Sequence, residues 1–363
     1  MSTPAPKAVQ TGAQLEASQA VSTKRDLRID ALRFIGLALI ILAHVYPDTL
    51  VFNLRNFDVP LMVLVSGMSF ALSYRLEAYG TYVWKRIKRL LVPVWLFLSG
   101  YFLYRAVLSP SAADFDRALI IPHFLLQHGN GVGYVWIIRV FLLVALVAPF
   151  IYKLHKSVAS DKRFFLIVGL AFAAYELLRY FTRPYLYSGV SGDIADYLYY
   201  LIPYALLFAI GLRFPSLNAA GRWCLFLCGF IIFVVVGGLL SFQAGEYVAT
   251  QAYKYPPSFY YFSYALWVCC LLWPLLPNLL TLIERCKLRP LLIFVASNSI
   301  WIYLWHICYL FLPVYEFNTF VRWALVFSLS TCTMLIQYAL VQKLIAMSSN
   351  KTYRHYLRVL FTG

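Results

Sequence analysis

Charge is what this sequence has little of. Only 13% of its 363 residues are Asp, Glu, Lys or Arg, about half the share of an average soluble domain. Acids are the scarcer sign, with 15 Asp and Glu against 31 Lys and Arg. With 62% apolar residues and a mean hydropathy of +0.71, the shortage excludes an ordinary soluble chain and implies a polytopic membrane protein. Cysteine is also sparse. The seven are odd in number, lie mostly in apolar runs and form no Cys-x-x-Cys pair, so they read as small core residues, with neither a disulfide framework nor a metal site. A phosphate-cradling glycine loop is missing too: Gly129-Asn130-Gly131-Val132-Gly133 lies in a loop and not between a strand and a helix. No repeat and no inverted pair of broken helices stands out, which counts against a transporter.

Ten apolar runs are present, near 29–47, 58–79, 88–107, 134–153, 163–182, 197–213, 222–241, 258–279, 291–313 and 320–345. A span of hydrocarbon needs roughly 20 residues, so the expectation is an all-α bundle of about ten transmembrane helices. Residues 1–27 read as a polar, disordered tail, 28–345 as the membrane domain and 346–363 as a basic tail. No small-x-small cleavage site follows the first run, so it reads as an uncleaved anchor. With the N-terminus in the cytoplasm, most of the Lys and Arg fall in cytoplasmic segments, while several acids, Asp48, Asp114 and Glu246 among them, fall outside. This is the positive-inside pattern. It puts both termini in the cytoplasm and makes the net charge of +16 an orientation signal in a lipid bilayer, without a nucleic-acid partner. The longest outside loop, 108–133, reads either as a lid over an acceptor site or as a connector.

The polar residues inside these runs carry the chemistry. Arg33 and His44 sit eleven residues apart in the first run, almost three helical turns, so they share a face about 16 Å apart along the axis. Ionisable groups in a spanning helix are costly and usually face an interior path. His44 suits a general base or acyl carrier, with a buried, carbonyl-bonded histidine as the structural alternative. Asp30 is placed to hold Arg33. Arg86 and Arg89 lie at the cytoplasmic mouth of the third run, where two guanidinium forks suit phosphates; a plain positive-inside flank is the alternative. Ser299, Tyr303 and His306 fall at i, i+4, i+7 on one face, with His306 at a depth comparable with His44; interhelical bonding is the alternative. Arg139 and Glu176 lie at matching depths below the outer surface and are expected to pair, since neither is tolerable alone.

Taken in order, these elements resemble the integral-membrane acyltransferase-3 family. Ile29-Asp30-Ala31-Leu32-Arg33 with Arg33-x10-His44 is similar to its opening signature. The run Asp58-Val59-Pro60-Leu61-Met62 through Ser66-Gly67 is similar to its second-helix element. Arg86-x-x-Arg89 before Pro93 matches its basic pair. Tyr134-Val135-Trp136 resembles its Trp-Phe helix, with Ile137 where Phe is usual and Arg139 outside the pattern. Ser299-x-x-x-Tyr303-Leu304-x-His306 resembles its late element. The Asp-Val-Pro-Leu-Met version looks most like the fucose O-acetylase and exopolysaccharide acetyltransferase branch, including the xanthan type.

The resemblance implies an enzyme of the bacterial inner membrane that transfers an acetyl group from cytosolic acetyl-CoA. The implied acceptor is a hydroxyl of a lipid-linked or polymeric glycan, and other polysaccharide-assembly proteins are implied partners. Carried across, His44 is the catalytic histidine, Arg33 positions the thioester end, and Arg86 and Arg89 hold the CoA phosphates. Asp30, Ser66, Trp136, Ser299, Tyr303 and His306 support the site or its acceptor side, and no metal is implied. Arg139 and Glu176, which rest on depth and not on the resemblance, read either as a pair lining the acceptor side or as a structural interhelical salt bridge. A transporter or flippase for a lipid-linked glycan, or a glycan polymerase, shares the ten-run profile and is the rival reading.

Overall fold

A computed structural model describes residues 25–108, 117–127, 133–186, 189–312 and 317–362. The tail before Arg25 and most of the glycine run with His128 lie outside the described residues. Fourteen helices are described in chain order. These are α1 (Leu27–His44), α2 (Thr49–Leu54), α3 (Asp58–Ser73), α4 (Tyr79–Leu108), α5 (Arg117–Phe124), α6 (Trp136–Ser157) and α7 (Asp161–Leu186), followed by α8 (Gly189–Arg213), α9 (Ala219–Ala244), α10 (Phe259–Arg285), α11 (Arg289–Ser297), α12 (Ser299–Tyr309), α13 (Thr319–Met347) and α14 (Lys351–Phe361). There is no strand among the described residues.

Eight helical segments are long and apolar enough to cross a membrane, and α11 with α12 makes a ninth if the bent pair is one span. α1 carries Arg28, Asp30 and Arg33 within its 18 residues, more charge than a simple span carries. α1 therefore stands outside that set, and the described residues form an all-α polytopic membrane protein with eight or nine candidate spans where ten runs are expected. One run differs. The stretch 291–313 is not a straight helix but turns by 83° between Ser297 and Ser299. The break falls at Asn298, whose side-chain Nδ2 donates to Phe294 O at 2.8 Å beside its own backbone N–H at 3.0 Å. An Asn bonding its own preceding turn competes with the helical ladder. The C-terminal stretch also differs from a free tail. Lys351–Phe361 is a helix whose end is held by Trp301 Nε1–H donating to Leu360 O at 2.9 Å and by Gln337 Nε2 donating to Phe361 O at 2.8 Å.

The core lies around α3 and α8, which have the most buried spanning windows, while α9 has the least. α3 and α8 cross at glycine on both sides. A Cβ on Gly67 would stand 2.3 Å from Phe208 O, and one on Gly211 would stand 2.2 Å from Leu64 O. Small residues let membrane helices approach to backbone contact where no hydrophobic force drives them together. The Ser66-Gly67 pair therefore divides its work between a side chain in a cavity and a backbone seated against α8. α1 packs on α3, α11, α12 and α13, so its polar face is enclosed by the bundle.

Candidate active site

Two cavities open along α1 and share Ile40, Ile137 and Tyr303 in their walls. The first, about 400 Å³, surrounds the N-terminal half of α1 and is lined by Arg33, Ser66, Arg86, Arg89 and Ser299. The second, about 320 Å³, lies at the C-terminal end of α1 and is lined by His44, Tyr134, Trp136, Arg55, Asp58 and Lys254. Residues eleven apart on one helix face thus look into adjoining chambers.

In the first cavity Arg33 Nη2 donates to Ser69 Oγ at 2.8 Å, while its Nη1 stands 3.9 Å from Asp30 Oδ1. Asp30 is buried and already taken by Arg25, whose Nε and Nη2 donate to it at 2.5 and 3.0 Å. The expected Asp30–Arg33 pairing therefore survives only as a long contact. Arg25 also donates to Ser297 Oγ at 2.8 Å, which ties the start of the described chain to the end of α11. Arg86 stacks its guanidinium 4.9 Å from the Tyr82 ring. Neither Arg86 nor Arg89 has an acidic partner among the described residues; the nearby Glu77 is paired with Lys85 at 2.5 Å. Three guanidinium groups thus face one cavity against a single carboxylate that a fourth arginine holds. Guanidinium groups so placed are able to bind an anion by forked hydrogen bonds.

The second cavity holds a histidine pair. His44 Nδ1 and His306 Nε2 are 2.8 Å apart, with the rings stacked at 5.0 Å and 15°. His306 is fully buried, and its Nδ1 is bonded to Tyr303 O. That bond assigns the tautomers. A carbonyl only accepts, so His306 carries its proton on Nδ1 and presents a lone pair at Nε2. His44 must then donate from Nδ1, which leaves its Nε2 unprotonated on the edge that lines the cavity. Tyr134 lies over His44 at 4.4 Å and its hydroxyl shares a bond of 3.0 Å with that of Tyr46. Tyr303 donates its hydroxyl to Tyr134 O, so α12 is tied to the start of α6 at the wall between the chambers. Trp136 packs 5.5 Å from the Tyr255 ring.

Beside the histidines lies a buried ionic group. Arg55 Nη1 donates to Asp58 Oδ2 at 2.6 Å, and Lys254 Nζ stands 3.6 Å from Asp58 Oδ1. Lys254 is in the segment joining α9 to α10. Burial pushes its ammonium down to about 8, against the pull of Asp58. Burial and the same carboxylate push the neighbouring Tyr255 phenol up. These charges escaped sequence reasoning. Arg55 and Lys254 fall between the apolar runs of the sequence, where a single cation gives no sign of its depth. The i,i+3 spacing of Arg55 and Asp58 was the one available signal.

Two expected site residues sit elsewhere. Arg139 and Glu176 do not pair. Glu176 Oε1 takes a bond from Arg179 of its own helix, and its Oε2 accepts from Phe259 N at 3.1 Å, capping the start of α10. Arg139 lies 4.9 and 5.1 Å from the Tyr197 and Tyr200 rings of α8. A partner three residues away on the same helix reaches Glu176 before a partner on another helix does. Neither residue lines either cavity. Among the described residues no group of three His, Cys, Asp or Glu stands as a metal site.

The family model for acyltransferase-3, described as an acyltransferase domain, matches residues 26–341. The chain belongs to this family. It is a multi-pass membrane protein of acyltransferase type, and the matched stretch contains both cavities. No curated protein and no solved structure matches the chain.

Proposed function

We propose that the chain is a membrane O-acetyltransferase of the exopolysaccharide branch of this family. It moves an acetyl group from cytosolic acetyl-CoA to a sugar hydroxyl of an exopolysaccharide, capsule or O-antigen precursor at the bacterial inner membrane. The observation that carries this is the pair of adjoining chambers, one with arginines that lack counter-charge and one with a histidine whose Nε2 is free.

The residues fit the donor. Under the positive-inside assignment the arginine chamber opens to the cytoplasm, where Arg86 and Arg89 hold CoA phosphates by forked hydrogen bonds. The thioester reaches past Ile40 and Tyr303 toward His44, and Arg33 steadies the arm below it. His44 Nε2 takes the proton of the acceptor hydroxyl as its oxygen attacks the thioester carbon. The C–S bond breaks, the sulfur leaves with the electron pair, and it recovers the proton from His44. His306, held by Tyr303 O, keeps the imidazole in the tautomer and orientation this needs.

The test is release of free CoA thiol from acetyl-CoA by purified protein given membrane-extracted glycan acceptor. Arg86→Gln with Arg89→Gln is expected to raise the donor KM about tenfold or more, because charge-assisted bonds are lost. A glycan flippase has no need of this phosphate site, so unchanged behaviour of the double variant, or no thiol release by the wild type, contradicts the proposal.

A further inference from the structure

The histidine cavity carries more positive charge than its own acids neutralise. The side chains of Arg55, Asp58 and Lys254 are 3%, 2% and 4% exposed. Asp58 is used up by the protein: Oδ2 takes the Arg55 bond at 2.6 Å, and Oδ1 accepts from Val59 N at 2.8 Å. Lys254 Nζ comes no closer than 3.6 Å to that carboxylate, beyond a good hydrogen bond. Its other neighbours are the Tyr255 and Tyr261 rings, with centroids at 5.7 and 5.9 Å. Two cations therefore share one carboxylate in the chamber where His44 presents its free nitrogen. A buried ammonium with unused donors is costly, and a cavity that keeps one favours a ligand that completes it.

The geometry points to an acceptor that carries a negative charge, a carboxylate or a phosphate within about one sugar unit of the reacting hydroxyl, recognised by Lys254 with Arg55 behind it. The inference rests on the acyl-transfer reading of the same chamber, and it names the chemical class of the acceptor. A neutral sugar would leave the Lys254 ammonium as it stands. An anionic one supplies the missing counter-charge and fixes the sugar against His44. Asp58 plays a different part: it holds Arg55 in place through the 2.6 Å bond. Two sources share this chemistry, an acidic sugar residue and the phosphate that links a glycan to its lipid carrier.

The experiment is thermal stabilisation of the full-length protein in detergent by glucuronate, glucose 1-phosphate and glucose at matched ionic strength. It is run on wild type, Lys254→Gln and Lys254→Arg, with thiol release from acetyl-CoA in the presence of membrane-extracted glycan acceptor measured on the same preparations. Wild type is expected to be stabilised by one of the two anions at concentrations where glucose does nothing. Which anion works identifies the source. Lys254→Gln should lose that preference by roughly 30-fold or more in apparent affinity, and Lys254→Arg should keep most of it. Equal response of wild type to all three probes overturns the inference, as does a Lys254→Gln protein that still prefers the anion. Wild type and Lys254→Arg decide the matter even if Lys254→Gln does not fold, since an arginine variant that loses the preference contradicts charge recognition. Preference for the anion without any thiol release overturns the acyl-transfer reading alone, and thiol release without the preference overturns the acceptor class alone.

Discussion

His44 depends on a residue it meets only in three dimensions. The Nδ1–H it donates to His306 at 2.8 Å leaves Nε2 as the base, so His306 is a positioning residue for the proposed proton transfer. His306→Ala is expected to lower kcat for CoA release by about 10- to 100-fold with the donor KM unchanged, because the step loses its oriented base but not its phosphate site. His306→Gln, whose amide oxygen can accept from His44, should recover part of the loss. Equal loss in both variants, or a rise in KM, would mean that His306 only supports packing. Lys254 makes stability depend on pH. Its folded value of about 8 lies below the ordinary 10.5, so between those values the unfolded chain binds the extra proton and stability rises with pH. Below pH 8 the full cost is present. The Arg55 and Asp58 charges and the Tyr255 and Tyr261 rings surround this group. Thermal midpoints of wild type should climb from pH 8 to 10, and Lys254→Met should flatten the climb. Arg33, His44, Arg86, Arg89 and His306 were all legible from spacing and depth, since an ionisable residue in an apolar run announces itself. The tautomers were not, because they rest on Tyr303 O, a backbone atom that no sequence pattern marks.

At the scale of the element, the Gly67–Gly211 crossing sets α3 against α8 at backbone distance, and α3 carries Ser66 and Ser69 into the arginine chamber. Gly67→Ala would place a methyl 2.3 Å from Phe208 O, and backbone on both sides cannot yield as a side chain can. A loss of about 1–3 kcal/mol is expected, read as a lower midpoint by fluorescence-detected size-exclusion chromatography. Gly36→Ala is a milder change, because the close contacts of its methyl, at 2.7 Å, are with the flexible Met62 side chain, and Asp58 O lies at an ordinary 3.7 Å. An unaltered Gly67→Ala midpoint would contradict the close crossing. The runs themselves were readable as hydropathy, which marks where a helix can cross lipid. Its break at Asn298 was not, since an apolar run of that length reads as one helix until the side chain is seen bonding its own preceding turn. The Arg139–Glu176 pairing failed for a related reason: matching depth does not say which face a charge occupies, and Arg179 was nearer.

At the scale of the whole molecule, two chambers of opposite purpose meet near the middle of the bundle, and the proposal requires the arginine chamber to face the cytoplasm. That sidedness has a direct readout. Cys286, exposed just beyond the end of α10, lies between Arg285 and Lys287 on the side where the positive-inside pattern puts the cytoplasm. A membrane-impermeant maleimide should label it in inverted vesicles and not in intact cells, with Cys286→Ser as the control. Labelling from outside would reverse the chambers and take the phosphate site away from cytosolic acetyl-CoA. Hydropathy made the helical bundle readable, and charge distribution supplies the sidedness that this labelling tests, whereas the second chamber's ionic group had no sequence counterpart beyond two charges three residues apart.

The most direct test of acetyl transfer through His44 is proton NMR of base-labile O-acetyl groups on surface polysaccharide from the native host. Wild type is compared with His44→Ala at matched membrane abundance. The account predicts that the acetyl signal disappears while polymer yield and chain length stay as in wild type. Acetylation at the wild-type level, or loss of the polymer itself, would contradict it.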